Sequence, residues 1–117
     1  MRDFKKLKIW HKAHKLTLDI YRVTRDFPKE EIYGITSQMR RASSSIEFNL
    51  AEGCGRESEK ELGRFAIISM GSTSELECEL LLSFDLGYLG KVDYKRLEQK
   101  TIEVKKKLSS FIVKLRK

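Results

Sequence analysis

The sequence predicts an all-α protein, an antiparallel up-down-up-down four-helix bundle, and three observations carry that prediction. Apolar residues recur at steps of three and four along four successive stretches. The connections between those stretches are short and are marked by Pro28, by the Gly53-Cys54-Gly55 cluster and by Gly87 and Gly90. The composition, 40% hydrophobic and 35% charged with a single proline in 117 residues, is that of a soluble, helix-rich chain with one modest core and one domain, residues 1–117.

The first helix is expected from about Leu7 to Arg25, with Trp10, Ala13, Thr17, Ile20, Tyr21 and Thr24 on one face. Pro28 ends it, since the residue before a proline is pushed out of the helical region, and Phe27 therefore belongs to a turn. Ile35, Met39, Ala42, Ile46, Asn49 and Gly53 form the seam of the second helix. It is expected to stop at Gly53-Cys54-Gly55, where a glycine can take the left-handed conformation. Ser58 followed by Glu61 is a capping-box pattern and opens the third helix. Its seam is Leu62, Phe65, Ser69, Ser72, Leu76, Leu80 and Ser83, and it runs toward Gly87 or Gly90.

This helix carries a second apolar set, Ile67, Ile68, Leu81, Leu82, Phe84 and Leu86, more than one core contact needs, so an oligomer interface is expected on it. Asp93 can cap the fourth helix, whose buried stripe is Tyr94, Leu97, Thr101, Val104, Leu108, Phe111 or Ile112, and Leu115. Short connections between four long helices favour antiparallel neighbours, which places the first helix beside the last.

That adjacency matters because the charge is uneven. Residues 1 to 29 carry nine Lys or Arg against three acids and residues 91 to 117 carry ten against three, whereas residues 30 to 57 sum to −2 and residues 58 to 90 to −4, for a total of +7. Brought side by side, the first and last segments make one basic surface able to attract phosphates. No apolar run approaches the roughly 18 residues of a membrane span, and the first residues lack the apolar segment of a secretory signal, so a cytoplasmic location is expected. Cys54 and Cys78 fit that setting as free thiols.

The stretch Gln38 to Gly53 is unusual for a bundle seam. Arg41, Ser45, Asn49 and Glu52 fall in one narrow sector of the second helix, with Ser69, Ser72 and Glu75 as counterparts on the third, so Arg41 or Arg40 is expected to pair with Glu75 or Glu52 in a buried contact that specifies packing or assembly. The run Gln38 to Gly53, followed by Arg56 and Ser58 and then by Gly71-Ser72 and Glu75-Leu76, resembles the bacterial four-helix-bundle family named after proteins encoded in 23S rRNA intervening sequences. Trp10, Tyr21, Phe27-Pro28 and Tyr33-Gly34 extend the resemblance over nearly the whole chain, and Glu47 and Phe48 depart from the small residue or proline common after Ser-Ile. The resemblance implies a homo-oligomeric ring, typically a pentamer. A related branch, the accessory protein of diversity-generating retroelements, is a basic pentamer that binds nucleic acid, which by similarity implies contact with RNA or DNA here. The label of ribosomal protein attached to some relatives does not imply ribosome membership.

Catalytic readings find little support. The chain lacks the Glu-x-x-His pairs of a di-iron bundle, Ser43 to Ser45 have no nearby histidine base, and no phosphate loop or dinucleotide fingerprint occurs. His11 and His14 are spaced to share a metal, but no second pair has ligand spacing. The expectation is a non-enzymatic protein without cofactor or metal that engages RNA or DNA phosphates through Lys5, Lys6, Lys8, Lys12, Lys15, Arg22, Lys105, Lys106, Lys107, Lys114 and Arg116. The structural motif of Arg41, Ser45, Asn49, Glu52, Gly53, Ser72 and Glu75 then serves packing. The alternative is a ring-forming scaffold or adaptor for a protein partner, its lysines serving solubility or an acidic surface. Base stacking would need exposed rings, for which Trp10 and Phe48 are the candidates.

Overall fold

The computed structural model describes residues 1–117 as four helices, α1 (Lys8–Thr24), α2 (Ile35–Cys54), α3 (Glu59–Asp85) and α4 (Lys91–Leu115), with single 3-10 turns at Phe4–Lys6 and Lys29–Glu31. Each helix packs on its neighbours in the cycle α1, α2, α3, α4, and neither diagonal pair approaches within 8 Å between Cα atoms. The bundle measures 43 × 23 × 20 Å, and its long dimension is that of α3, about 40 Å at the usual rise. Leu16, Ile20, Met39, Ile46, Leu50, Leu62, Leu76, Leu80, Leu97 and Leu108 fill the core.

The ends of the helices follow local chemistry. Ser58 Oγ accepts the Glu61 N–H at 3.1 Å, while the Glu61 carboxylate meets the Ser58 hydroxyl at 3.4 Å, a variant of the expected capping box. Gly87, at φ 80°, closes α3 by a Schellman motif in which the Tyr88 N–H reaches the Ser83 carbonyl and the Gly87 N–H that of Phe84. Two sequence expectations change here. Gly55 caps α2 with φ −79°, so no left-handed glycine ends that helix. The fourth helix starts two residues before Asp93, with Gly90 as its N-cap, and Asp93 lies in the first turn bonded to Arg96.

Gly53 has a packing role instead: a Cβ there would lie 2.9 Å from both Leu62 Cδ1 and Phe65 Cβ, so its absence lets α2 and α3 converge. Small hydroxyl residues exploit that approach. Ser69 donates to the Ile46 carbonyl across the seam at 2.8 Å, and Ser83 meets Met39 Sδ at 3.3 Å. Buried Thr17 is satisfied likewise by the Ala13 and Ser43 carbonyls on the α1–α2 side.

The polar motif is less buried than its spacing implies. Ser45 Oγ lies 2.9 Å from Ser72 Oγ, and Asn49 Nδ2 donates to both the carbonyl and the hydroxyl of Ser45, giving a half-buried relay along the α2–α3 seam. Arg41 and Glu75 do pair, but at 3.8 Å with side chains 71% and 44% exposed, while Glu52 pairs with Arg56 and Arg40 turns toward α1 onto Thr24. The expected buried ion pair is therefore a solvated rim contact, because Arg41 and Glu52 lie beyond the seam on the outer side of α2. Such contacts contribute about 0 to 1 kcal/mol. Tyr21, expected on the buried face of α1, is exposed beneath the Arg40 guanidinium, which sits 4.9 Å from its ring centroid.

Candidate nucleic-acid interface

Because α1 and α4 are neighbours, the two basic segments meet along one seam. At one end of it a groove of about 560 Å3 is lined by Leu7, Lys8, Ile9 and Lys12 from the α1 side and by Glu103, Lys106, Lys107, Ser110, Phe111 and Lys114 from α4. Its apolar residues are Leu7, Ile9 and Phe111. Five lysines face one carboxylate, Glu103, which lies 3.6 Å from Lys12. A smaller depression lined by Lys12, Lys15, Lys100 and Glu103 continues the basic track.

Of the lysines and arginines singled out in the sequence, Lys8, Lys12, Lys106, Lys107 and Lys114 converge in the groove and Lys15 in its continuation. The others are placed differently. Lys5 and Lys6 are exposed on the 3-10 turn before α1. Lys105 points to the other side of α4, where its Nζ lies 2.8 Å from Glu77 on α3. Arg116 lines a depression between α3 and α4, and Arg22 is bonded to Asp19.

Asp19 is a residue that sequence reading missed. Buried on α1 as that helix's one acid among four lysines and arginines, it takes Arg22 from its own helix and Arg96 and Lys100 from α4. Burial alone would raise its carboxyl pKa, but Lys100 and Arg96 outweigh burial and hold it below the ordinary carboxylate range. It fixes the α1–α4 seam on which the groove depends. The one signal in the sequence was an isolated acid three residues before Arg22.

Glu47 was also missed as a core group: it is buried and its Oε2 lies 2.9 Å from His14 Nδ1. The His14 ring stacks on Trp10 at 4.8 Å, with Phe4 on Trp10 at the same distance, so Trp10 is packed into an aromatic cluster. His11 Nε2 is bonded to the Lys5 carbonyl at 2.6 Å, so the two histidines are engaged by different partners. No group of three or more His, Cys, Asp or Glu side chains is placed to hold a metal ion. Phe48 is 65% exposed, but on α2, which contributes no residue to the lysine groove.

The outer face of α3 is the second notable surface. Ile67, Ile68, Leu81, Leu82 and Leu86 are each about half exposed there, while Phe84, assigned to that set by spacing, turns inward and stacks on Tyr94 at 4.6 Å. Exposed Gly71 and Cys78 lie on the same face. At its border toward α2 sits Glu79, buried with no hydrogen-bond partner for either carboxylate oxygen. Burial first, then Glu75 one turn away, push its pKa up to about 8, against a smaller opposing effect of Arg41. No helix is long and apolar enough to cross a membrane.

These features define a small basic four-helix-bundle protein with a lysine-rimmed seam. The chain belongs to the family of 23S rRNA-intervening sequence proteins, whose profile matches residues 5–110. Its fold is similar to the crystal structure of a protein with unknown function from the S23 ribosomal protein family of Bacteroides thetaiotaomicron VPI-5482, with a TM-score of 0.80 at 20% identity over 89% of this chain and 97% of that one. No curated protein matches the chain.

Proposed function

We propose that this protein is a self-associating, non-enzymatic bundle that binds RNA or DNA phosphates along the α1–α4 seam. The observation that carries the reading is the convergence of Lys8, Lys12, Lys106, Lys107 and Lys114 on one groove opposed only by Glu103. Like charges held together repel one another, and a polyanion that neutralises them releases its own counterions. Self-association is favoured by the half-exposed aliphatics of α3 and by Gly71, where an added Cβ meets nothing within 4 Å in the single chain. A glycine in a helix interior costs about 0.8–1 kcal/mol relative to alanine, and close approach of a second helix gives that cost a use. The ring of five copies comes from the family resemblance.

Binding of labelled RNA and DNA, measured by fluorescence anisotropy at low and at physiological salt, tests the reading. Lys106, Lys107 and Lys114 changed together to Glu are expected to abolish binding, whereas Lys105→Glu, which faces Glu77, leaves most of it. Glu103→Gln is expected to tighten binding, a gain that misfolding does not mimic. Absence of binding at low salt refutes the proposal. The second reading, a ring-forming scaffold for an acidic protein partner, draws on the same α3 face and would then stand alone. Light scattering decides self-association, and a monomer at micromolar concentration contradicts it.

A further inference from the structure

Lysines alone suit any polyanion, but the floor between them is apolar and includes one aromatic ring. We infer, resting on the nucleic-acid reading above, that the α1–α4 groove takes single-stranded nucleic acid, with one base seated against Phe111 and the flanking phosphates on the lysine rim.

Three observations carry this. The groove, at about 560 Å3, has the size of a small-molecule pocket and so admits a body such as a base as well as phosphates at its edge. The Phe111 ring lines it, while Arg2, which does not, lies 5.7 Å from the ring centroid and is itself tied to Glu59 at 2.7 Å; the ring is thus braced from outside the groove. The rim is two-sided. Lys8 and Lys12 stand one helical turn apart on α1, about 6 Å by the helix rise, and face Lys107 and Lys114 on α4, about 10 Å apart by the same measure. A duplex presents phosphates on a broad convex surface and keeps its bases stacked inside, so it reaches the rim but not the floor. A single strand supplies both an exposed backbone and a base free to leave the stack, the combination that stacking platforms in charged grooves select.

The test compares three probes of equal length at one low salt concentration: a single-stranded oligonucleotide, the same backbone lacking its bases, and a blunt duplex. The wild-type protein is expected to bind the base-bearing strand on the order of tenfold or more tighter than the abasic strand, the range that one stacked base supplies, and tighter than the duplex. Phe111→Leu keeps the apolar packing and removes the ring; it is expected to lose the preference for the base-bearing over the abasic strand. The abasic comparison on unmodified protein needs no variant to fold. Equal affinity for base-bearing and abasic strands overturns the base seat and leaves phosphate binding standing. Preference for the duplex overturns the single-strand assignment. Failure to bind any probe overturns the phosphate reading and this inference with it.

Discussion

Replacing Glu79 with Gln is expected to make the protein more stable in mild alkali and to leave it nearly unchanged at about pH 4, below the ordinary glutamate pKa. Glu79 is buried at 7% exposure, and neither carboxylate oxygen has a partner. Burial first, then its neighbour Glu75, push its pKa from 4.5 up to about 8. The folded chain therefore holds a proton that the unfolded chain has released, and the stability tied to it is complete below about pH 4.5 and is lost as pH rises through about 8. At about 1.4 kcal/mol per pH unit the interval sets a ceiling of about 5 kcal/mol. Glu75 and Arg41 are solvated at 44% and 71% and free to rearrange, which brings the expectation to about 2–3 kcal/mol. Urea unfolding of wild type and Glu79→Gln at about pH 4 and about pH 9 reads it directly. Near-equal stability at about pH 4, a gain that opens as pH rises above about 4.5, and the full gain near pH 9 is the expected result. Parallel pH profiles, or a variant weaker than wild type near pH 9, would show that Glu79 is not a strained neutral acid.

The two helix glycines Gly53 and Gly71 are expected to respond oppositely to alanine. Gly53→Ala forces a Cβ to within 2.9 Å of Leu62 and Phe65 and is expected to destabilise the chain by about 1–2 kcal/mol after the gain in helix propensity, measured by urea unfolding. Gly71→Ala meets nothing and is expected to raise single-chain stability by about 0.5–1 kcal/mol while weakening self-association in sedimentation velocity. Asp19→Asn is expected to cost about 1–3 kcal/mol at neutral pH, less than a fully buried pair because Lys100 and Arg96 keep contact with water. Since the Asp19 pKa lies below its ordinary 3.8, its contribution is present above that pH and fades as pH falls further, so acid unfolding of the variant should lack that loss.

The four helices were legible because each has a core face that repeats every three to four residues, and a wheel needs no partner to reveal it. Ile46, Leu76, Leu97 and Leu108 are buried as their spacing requires. Residues at the margin of a face were not legible, because their fate depends on which neighbouring helix lies there. Phe84 and Leu86 are two residues apart, yet the first stacks on Tyr94 and the second is half exposed. Lys105 and Lys106 are adjacent, yet one pairs with Glu77 on α3 and the other lines the groove. Asp19 and Glu47 are buried through partners 81 and 33 residues away, a separation that no local pattern encodes. Arg41 failed in the other direction: its position beside the seam is real, but a long side chain at a rim reaches water.

The most direct measurement is the salt dependence of oligonucleotide binding by the wild type and by a variant with Lys106, Lys107 and Lys114 all changed to Gln. With five groove lysines neutralising single-strand phosphates, log K against log salt should fall with a slope of about −3.5, and with three of them removed the slope should shrink to about −1.4. A wild-type slope near zero, or the same slope in the variant, would place any binding away from the α1–α4 groove.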